Sequence, residues 1–412
     1  MSMYAFKLPR EGVPAGWGNP RQIDMALKSI TFRTIFFPYL ILQGCAQTID
    51  TPNDNAILPA SVDNVDLIYA GETPPENYLI DIAVNVFEMA INENESLEFG
   101  EWIFSEIREN EIHYLPYILR ETLLRSNQWG AVRVLPANDP SVDLQVQAKV
   151  IASDGKHILV HVTAVDSSGR TWLDQEYLDF TTEDDFPSST RYTPGQPFEA
   201  RTFVEPFQDI YNKINNSLVK YRSTLTDQEL VDLKRVSQMV YASDLAPESF
   251  EKNLIRDNSN LLTVATLPAT EDPMLGRVED MRRRHHLFID TVDEYYGSLY
   301  EQMRPAYAVW RKYSFDQINE EIKAAGEQYD FNNYGRSGRY LTLTQRYDRY
   351  RWSKIFELEY REISAGFNNE IAPAIMELNE RVHRLNGTME EQYIQWKRIL
   401  RQLFALEVQI PK

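Results

Sequence analysis

The sequence predicts an α+β protein in which a small, mostly antiparallel sheet with one packed helix is followed by a long all-α helical bundle. Two patterns predict this order. In residues 78–180, apolar side chains alternate with polar ones, which is the two-residue period of a half-buried strand. In residues 205–412, apolar side chains recur every three or four positions, which is the period of a helix that buries one face. Residues 181–204, rich in Thr, Ser, Asp, Pro and Gly, are the predicted linker.

The predicted sheet domain begins with a strand and a helix. Ile80, Ile82 and Val84 alternate with polar or small residues, which predicts a half-buried strand. The helix is predicted from residues that share one face, namely Leu115, Ile118, Leu119, Thr122 and Leu123. Pro116 lacks a backbone N–H, so we expect it in the first turn of this helix. A short strand over 129–135 follows.

Three further strands are predicted to form a meander. Alternation is clearest in residues 143–150, and two more strands are predicted at 158–164 and 171–177. Ser153-Asp154-Gly155 and Ser167-Ser168-Gly169 mark the turns, because Asp and Gly tolerate positive φ. The order of strand, helix, short strand and meander predicts one helical layer on the sheet.

The second half is predicted to contain five to seven helices. Capping boxes at Thr226–Glu229 and Thr388–Glu391 begin two of them, and Asp272-Pro273 begins another. The helix after Pro273 has an apolar stripe with alternating steps of four and three residues, which runs from Met274 to Leu299 and includes His285. A similar stripe runs from Phe356 to Leu378. The last helix presents an apolar face made of Tyr393, Trp396, Leu400, Leu403 and Leu406.

Charge and cysteine content exclude several classes of function. The 412 residues include 42 basic and 61 acidic side chains, which give a formal net charge of −19. Such a chain should repel nucleic acid, so we predict no nucleic-acid partner. The one cysteine, Cys45, excludes an internal disulfide, a tetracysteine zinc site and an iron–sulfur cluster.

An apolar segment precedes the one cysteine. The run that begins at Thr34 follows Lys28 and Arg33 and ends at the small residue Gly44. It is too short to cross about 30 Å of hydrocarbon, but it has the length of a signal-peptide apolar region. Leu42-Gln43-Gly44-Cys45 resembles the lipobox of bacterial lipoproteins. The alternative is a buried apolar segment with an incidental cysteine.

The lipobox resemblance implies a lipid anchor at Cys45. In that family the thiol carries palmitate-type acyl chains, and the peptide is cut before the cysteine. Residues 1–44 are then a signal peptide, whose true start we place at Met25 as an alternative to Met1. Because residue 46 is alanine and not aspartate, the resemblance implies the periplasmic face of the outer membrane. Residues 45–77 are predicted to be a tether.

The predicted sheet domain, residues 78–180, is similar in element order to a small domain of outer-membrane assembly lipoproteins. This group includes the curli-secretion and lipopolysaccharide-assembly lipoproteins and the auxiliary lipoproteins of lipid transporters. The likeness rests also on Arg120-Glu121-Thr122-Leu123 leading to Gln128-Trp129-Gly130-Ala131-Val132, and on Ser153-Asp154-Gly155 before an alternating strand. No catalytic motif belongs to this domain, so the resemblance implies no site residues.

The histidines do not predict a metal site or an enzyme. His157 and His161 are separated by about 13 Å of strand, and His285 and His286 point about 100° apart on a helix. His285 fits the apolar stripe, which favours a packed and hydrogen-bonded side chain. No hydrolase, dinucleotide-binding or phosphate-binding motif is present in the sequence. We therefore predict no enzymatic activity, no metal and no cofactor.

A basic and aromatic segment, residues 334–352, is the main candidate for ligand or partner binding. Its candidate residues are Arg336, Arg339, Arg346, Tyr347, Arg349, Tyr350, Arg351 and Trp352. Guanidinium groups and rings of this kind bind glycans, peptidoglycan or acidic protein surfaces. Alternatively, the same arginines pair with glutamates across helices. The run Arg282-Arg283-Arg284 is predicted to be a solvated face or a set of interhelical pairs.

Three functional hypotheses follow from the sequence, and the third is an enzyme with a novel site, which a pocket of convergent carboxylates or histidines would favour. The first is a lipid-anchored, non-enzymatic docking or assembly component of a Gram-negative envelope complex, with a membrane contact through Cys45 and an envelope protein as partner. The second is a module that binds cell-wall glycan or another periplasmic ligand through residues 334–352.

Overall fold

A mixed six-stranded sheet organises the chain. A computed structural model describes residues 58–62, 64–90, 105–186, 205–266, 268, 272–325, 377–378, 381–382, 385 and 387–409. The strands of the sheet are β1 (Ile82–Asn85), β2 (Glu88–Met89), β3 (Val132–Leu135), β4 (Leu144–Ser153), β5 (His157–Asp166) and β6 (Thr171–Phe180). Their order is β3-β1-β4-β5-β6, and β2 pairs with β4.

Helices and two small hairpins complete the described residues. The helices are α1 (Ser105–Arg125), α2 (Gln208–Arg222), α3 (Asp227–Leu245), α4 (Pro247–Phe250), α5 (Pro273–Ala325) and α6 (Met389–Gln409). The hairpins are β7 (Leu254–Arg256) with β8 (Leu262–Val264), and β9 (Glu377–Leu378) with β10 (Arg381–Val382). Among these described helices, none combines the length and the apolar character needed to cross a membrane.

The α+β class is confirmed, but the sheet is mixed and not mostly antiparallel. The meander β4-β5-β6 is antiparallel, as predicted. In contrast, β1 pairs in parallel with both β3 and β4. Helix α1 lies between β1 and β3 in the chain, and such a crossover returns the chain in the same direction. All four residues of β1 are buried, so the half-buried prediction was wrong: a central parallel strand is covered on both faces.

Helix α1 buries the predicted face but contains Pro116 well inside it. The first-turn prediction was wrong. Inside a helix, proline leaves one carbonyl without its usual N–H donor, but here a different N–H donates to that carbonyl. This carbonyl belongs to Ile112, four residues earlier, and accepts a hydrogen bond from the Phe87 N–H (3.0 Å). The bond joins α1 to the segment between β1 and β2. The proline therefore leaves the Ile112 carbonyl paired.

The two predicted turns of the meander use glycine for different reasons. Gly169 has φ +91°, as expected for a tight turn. Gly155 does not have a positive φ, so the prediction that the turn needs glycine for its backbone conformation was wrong there. A Cβ at Gly155 would lie 2.3 Å from the Ser314 carbonyl carbon and 2.5 Å from the Phe315 nitrogen. Glycine is needed there because α5 passes directly over the turn.

Two of the predicted helix starts in the second half are present, and the apolar stripe of α5 is buried. Both capping boxes are present, at Thr226–Glu229 and at Thr388–Glu391. The α5 stripe from Val278 to Leu299 is buried, whereas Leu406 on α6 is 53% exposed. The break after α4 contains the hairpin β7-β8, which the sequence analysis missed. The predicted stripe that begins at Phe356 lies outside the described residues up to residue 376.

The described helices pack on the sheet and share its core. One hydrophobic cluster includes Val84 and Val162 of the sheet together with Ile214, Val292 and Trp396 of the helices. Helix α5 also covers the edge strand β3, where the Val134 N–H donates to Asp293 (2.8 Å). A separate bundle over 205–412 therefore stays a prediction, because residues 326–376 lie outside the described part of the chain.

Arg311 of α5 lies fully buried where α1, α5 and the β4-β5 turn meet. Its guanidinium donates to Glu111 Oε1 (2.6 Å), to Ser153 Oγ (2.8 Å) and to the Asp154 carbonyl. It also donates to the Tyr307 hydroxyl (2.8 Å). Burial by itself would lower the pKa of Arg311, but the charge of Glu111, together with Tyr307 and Glu205, outweighs burial and raises it. The arginine therefore stays charged inside the core.

A second carboxyl group lies in the field of the Arg311–Glu111 pair. Burial raises the pKa of Glu205 to about 7; the charge of Arg311 opposes this increase, and that of Glu111 adds to it. Rings surround the guanidinium as well, with ring centroids of Phe207 at 4.7 Å and Trp310 at 4.8 Å.

We expect Arg311→Met to lower the free energy of unfolding by about 3–5 kcal/mol, because Glu111 would remain buried without its cation. The double variant Arg311→Met/Glu111→Gln should recover a large part of this loss, since it removes both charges. Urea unfolding of the two single variants and the double variant measures this coupling. Strictly additive losses would contradict it.

We expect Gly155→Ala to destabilise the fold by about 1–3 kcal/mol, because the new Cβ collides with the α5 backbone. Gly71→Ala is the matched control: no atom lies within 4 Å of a Cβ there, so its effect should stay within about 0.5 kcal/mol. The urea midpoints of both variants test this, and similar midpoints would refute the collision.

Candidate functional site

A pocket with ionisable side chains lies beside the amino ends of β1 and β4. We call it the charged pocket; its volume is about 320 Å³. Its lining residues are Asp81, Asp143, Lys234, Gln238, Glu279, Arg282, Arg283 and His286. Clefts that gather titratable groups with shifted pKa values are good candidates for functional sites.

The floor of the charged pocket consists of two aspartates at the edge of the sheet. Asp81 precedes β1, and its Oδ1 accepts the Ala131 N–H (2.9 Å). Asp143 precedes β4, is 2% exposed, and accepts the Asp81 N–H (3.0 Å). Burial raises the pKa of Asp143, and the nearby charge of Asp81 adds to the increase. A Cβ at Gly130 would lie 2.3 Å from Asp81 Oδ1, so a larger residue there would displace this carboxylate.

The walls of the charged pocket come from α3 and α5. Lys234 on α3 donates to the Glu76 carbonyl (3.0 Å). Arg282 on α5 donates to the Ser141 carbonyl through Nη2 (2.6 Å) and Nε (3.2 Å), which fixes its guanidinium. Burial and the charge of Arg282 lower the pKa of His286 to about 4, so this imidazole is neutral at pH 7.

The loop between β3 and β4 is fixed from behind by a buried polar network. Asp139 Oδ2 accepts from His285 Nε2 (2.5 Å) and from the Tyr393 hydroxyl. Trp396 Nε1 donates to His285 Nδ1 (3.1 Å). Because an indole N–H can only donate, His285 Nδ1 is an acceptor and its proton lies on Nε2. The network holds the loop whose Ser141 contacts the pocket wall.

The arrangement is suited to binding polar groups. Its described lining offers carboxylates, cations and one neutral imidazole. In the residues that the structure describes, no group of three or more His, Cys, Asp or Glu side chains is placed to hold a metal ion.

The structure locates only part of the predicted candidate residues. Cys45 and all eight candidates in 334–352 lie outside the described residues, so their roles stay predictions. His285 is packed and hydrogen-bonded, as predicted. His161 and Asp174 are 2.7 Å apart and pair on the surface of the sheet.

The arginine run from 282 to 284 has divided roles, and the pocket aspartates were missed. Arg283 is solvated and pairs with Asp280 on its own helix, whereas Arg282 contacts the β3-β4 loop. Sequence analysis missed Asp81 and Asp143 because they are 62 positions apart and belong to no motif. Each directly precedes a strand, which was the one available signal.

Comparison with known proteins gives little support for an assignment. No family model matches the sequence, and no curated protein matches it. The chain is similar to protein XCC0632 from Xanthomonas campestris, whose crystal structure carries the family-model description DUF330. The two are 10% identical, the match covers 42% of this chain and 96% of that chain, and the TM-score is 0.19. A TM-score of this size supports no inference about fold or function.

We expect His286→Gln to make stability less sensitive to acid. The pKa of His286 is about 4 in the folded state and about 6.5 in an unfolded chain, so the unfolded state binds the proton first. Its contribution is present above pH 6.5 and is lost as the pH falls towards 4, by about 3 kcal/mol in total.

Urea unfolding of wild type and His286→Gln between pH 7 and pH 4 checks this. Carboxyl groups titrate in the same window and are common to both proteins, so the difference between the two curves is informative. A difference that stays constant with pH would contradict the shifted pKa.

Proposed function

We propose that the protein is a lipid-anchored lipoprotein on the periplasmic face of the outer membrane and serves as a non-enzymatic docking or assembly component of an envelope complex. The observation that carries the proposal is Leu42-Gln43-Gly44-Cys45 after an apolar run, with the one cysteine of the chain as the acyl acceptor. Each buried methylene of an acyl chain adds about 0.8 kcal/mol of membrane affinity, so two or three chains anchor a protein stably.

The way in which the chain after Cys45 joins the body supports this proposal. Three polar side chains on one face of α2 bind an extended backbone segment. Asp209 accepts the Val65 N–H (3.0 Å), and Asn212 donates to the Val65 carbonyl (2.8 Å). Asn216 accepts the Ile68 N–H (2.9 Å). Side-chain bonds to both backbone donors and acceptors fix this segment in register.

The same segment also reaches the sheet. Ser61 forms an isolated parallel bridge with Leu178 of β6, and the Val62 N–H donates to the Leu178 carbonyl (2.7 Å). The predicted tether, 45–77, is thus hydrogen-bonded to the body from residue 61 onward, and Leu58 already packs against the sheet. About 15 residues separate Cys45 from residue 61, and they span at most ~50 Å when fully extended. An anchored body of this kind stays within that distance of the membrane surface.

A docking role is consistent with the charge of the chain. The full chain carries −19, and loss of the five basic and two acidic residues of 1–44 would leave −22. Anionic lipid headgroups repel such a protein, so an acyl anchor is the means by which it would remain at a membrane. Repulsion would also hold the acidic body away from the bilayer and leave its surface open to a partner protein.

We expect Cys45→Ala to abolish acylation and leave the leader uncut, so that the protein no longer fractionates as a mature lipoprotein with the outer membrane. Gln43→Ala is the matched control, because this lipobox position tolerates many residues and processing should proceed. Mass spectrometry of the native protein, together with membrane fractionation, measures both outcomes.

Two results would contradict the proposed function. One is a wild-type protein with a bare Cys45 thiol and an attached leader. The other is an unchanged membrane fraction and mass for Cys45→Ala.

A further inference from the structure

The charges that line the charged pocket are largely divided between two sides, with Glu279 of α5 as the exception. Asp81 and Asp143 stand at the edge of the sheet, where β1 and β4 begin. The cations come from the facing helices, with Lys234 on α3 and Arg282 on α5. A ligand between the sheet edge and the helices therefore meets two carboxylates on one side, and cations together with Glu279 on the other.

These opposite charges do not neutralise each other directly. Within the described part of the chain, no ion pair of 4.0 Å or less joins a carboxylate of the charged pocket to one of its cations. Arg282 and Lys234 donate to backbone carbonyls instead, and Asp143 accepts a backbone N–H. The charge of Arg282 still acts on Asp143 and lowers its pKa, but without a direct ion pair both groups can bond to a ligand.

We propose that the charged pocket binds a small zwitterion, with the protonated nitrogen at Asp81 and Asp143 and the anionic group at Lys234 and Arg282. This proposal goes beyond the docking function and does not require the lipid anchor.

The chemistry of the pocket fits such a ligand on both sides. An ammonium group has three N–H donors and can bond to two carboxylates at once. Its charge would also relieve the repulsion between Asp81 and Asp143. On the other side, the fork of Arg282 and the point charge of Lys234 suit a carboxylate or phosphate. His286, neutral at pH 7, adds a hydrogen-bonding group without another positive charge.

The size of the pocket limits the ligand. Ligand sites commonly have volumes of about 300–1,000 Å³, and the charged pocket, at about 320 Å³, lies at the lower end. It can hold a molecule of the size of an amino acid, a dipeptide or a zwitterionic phospholipid headgroup such as phosphoethanolamine. All of these share an ammonium group and an anionic group in one small molecule.

Calorimetric titration of the purified full-length protein in detergent at pH 7 tests the proposal. The zwitterionic probes are glycine, glycylglycine and phosphoethanolamine. N-acetylglycylglycine lacks the ammonium group, and glycylglycinamide lacks the carboxylate. We expect saturable binding of at least one zwitterion. Both blocked peptides should bind at least about tenfold more weakly than that zwitterion. Tighter binding of glycylglycine indicates an amino-acid-type ligand, and tighter binding of phosphoethanolamine indicates a headgroup.

Two neighbouring residues on α3 provide a matched pair of variants. Lys234→Gln removes a cation of the pocket and should weaken binding about tenfold. Arg235→Gln removes the same charge from a side chain that pairs with Asp232 (2.9 Å) and does not line the charged pocket, so binding should be unchanged. Asp81→Asn keeps the acceptor for the Ala131 N–H and should also weaken binding about tenfold.

Three results would overturn the proposal. These are no saturable binding of any zwitterionic probe up to about 10 mM, equal binding of the blocked peptides, and equal losses for Lys234→Gln and Arg235→Gln. Since the calorimetric experiment does not depend on acylation of Cys45, its failure and that of the proposed function can be told apart.

Discussion

The buried charge of Arg311 is the interaction on which the arrangement of sheet and helices depends. A guanidinium inside the core is stable only when its donors are bonded and a carboxylate balances its charge. Glu111 of α1 supplies the carboxylate, and the β4-β5 turn supplies Ser153 Oγ and the Asp154 carbonyl. These bonds fix α1, the meander and α5 in one relative position. They also explain why α5 lies so close to the turn that residue 155 must be glycine.

Helix α5 connects this buried centre with the charged pocket. It has 53 residues, which corresponds to about 80 Å at 1.5 Å per residue. Arg311 lies in its second half, whereas Arg282, His285 and His286 lie near its start. The same helix therefore contributes to the core at one end and to the pocket wall at the other. His285 contributes to both the core and the pocket. It is buried and bonds to Asp139, and Asp139 belongs to the loop that Arg282 contacts from the pocket side.

Local signals in the sequence were sufficient for much of the secondary structure. The capping box at Thr226 and the alternation over 143–150 depend only on neighbouring residues, and both were confirmed. The alternation could not show that β1 pairs in parallel with β3 and β4, since strand direction depends on where the chain crosses. Nor could it show that Pro116 is tolerated mid-helix, which depends on a distant N–H at Phe87.

By itself, the sequence determined the α+β class, the alternating strands, the starts of the helices and the burial of His285, because periodicity and capping are local properties of the chain. The lipobox is equally local, and it remains a prediction from the sequence. Only the tertiary structure decided the mixed sheet and the grouping of Asp81, Asp143, Lys234 and Arg282. These four residues come from distant parts of the chain, and no local preference specifies that their charges meet in one pocket.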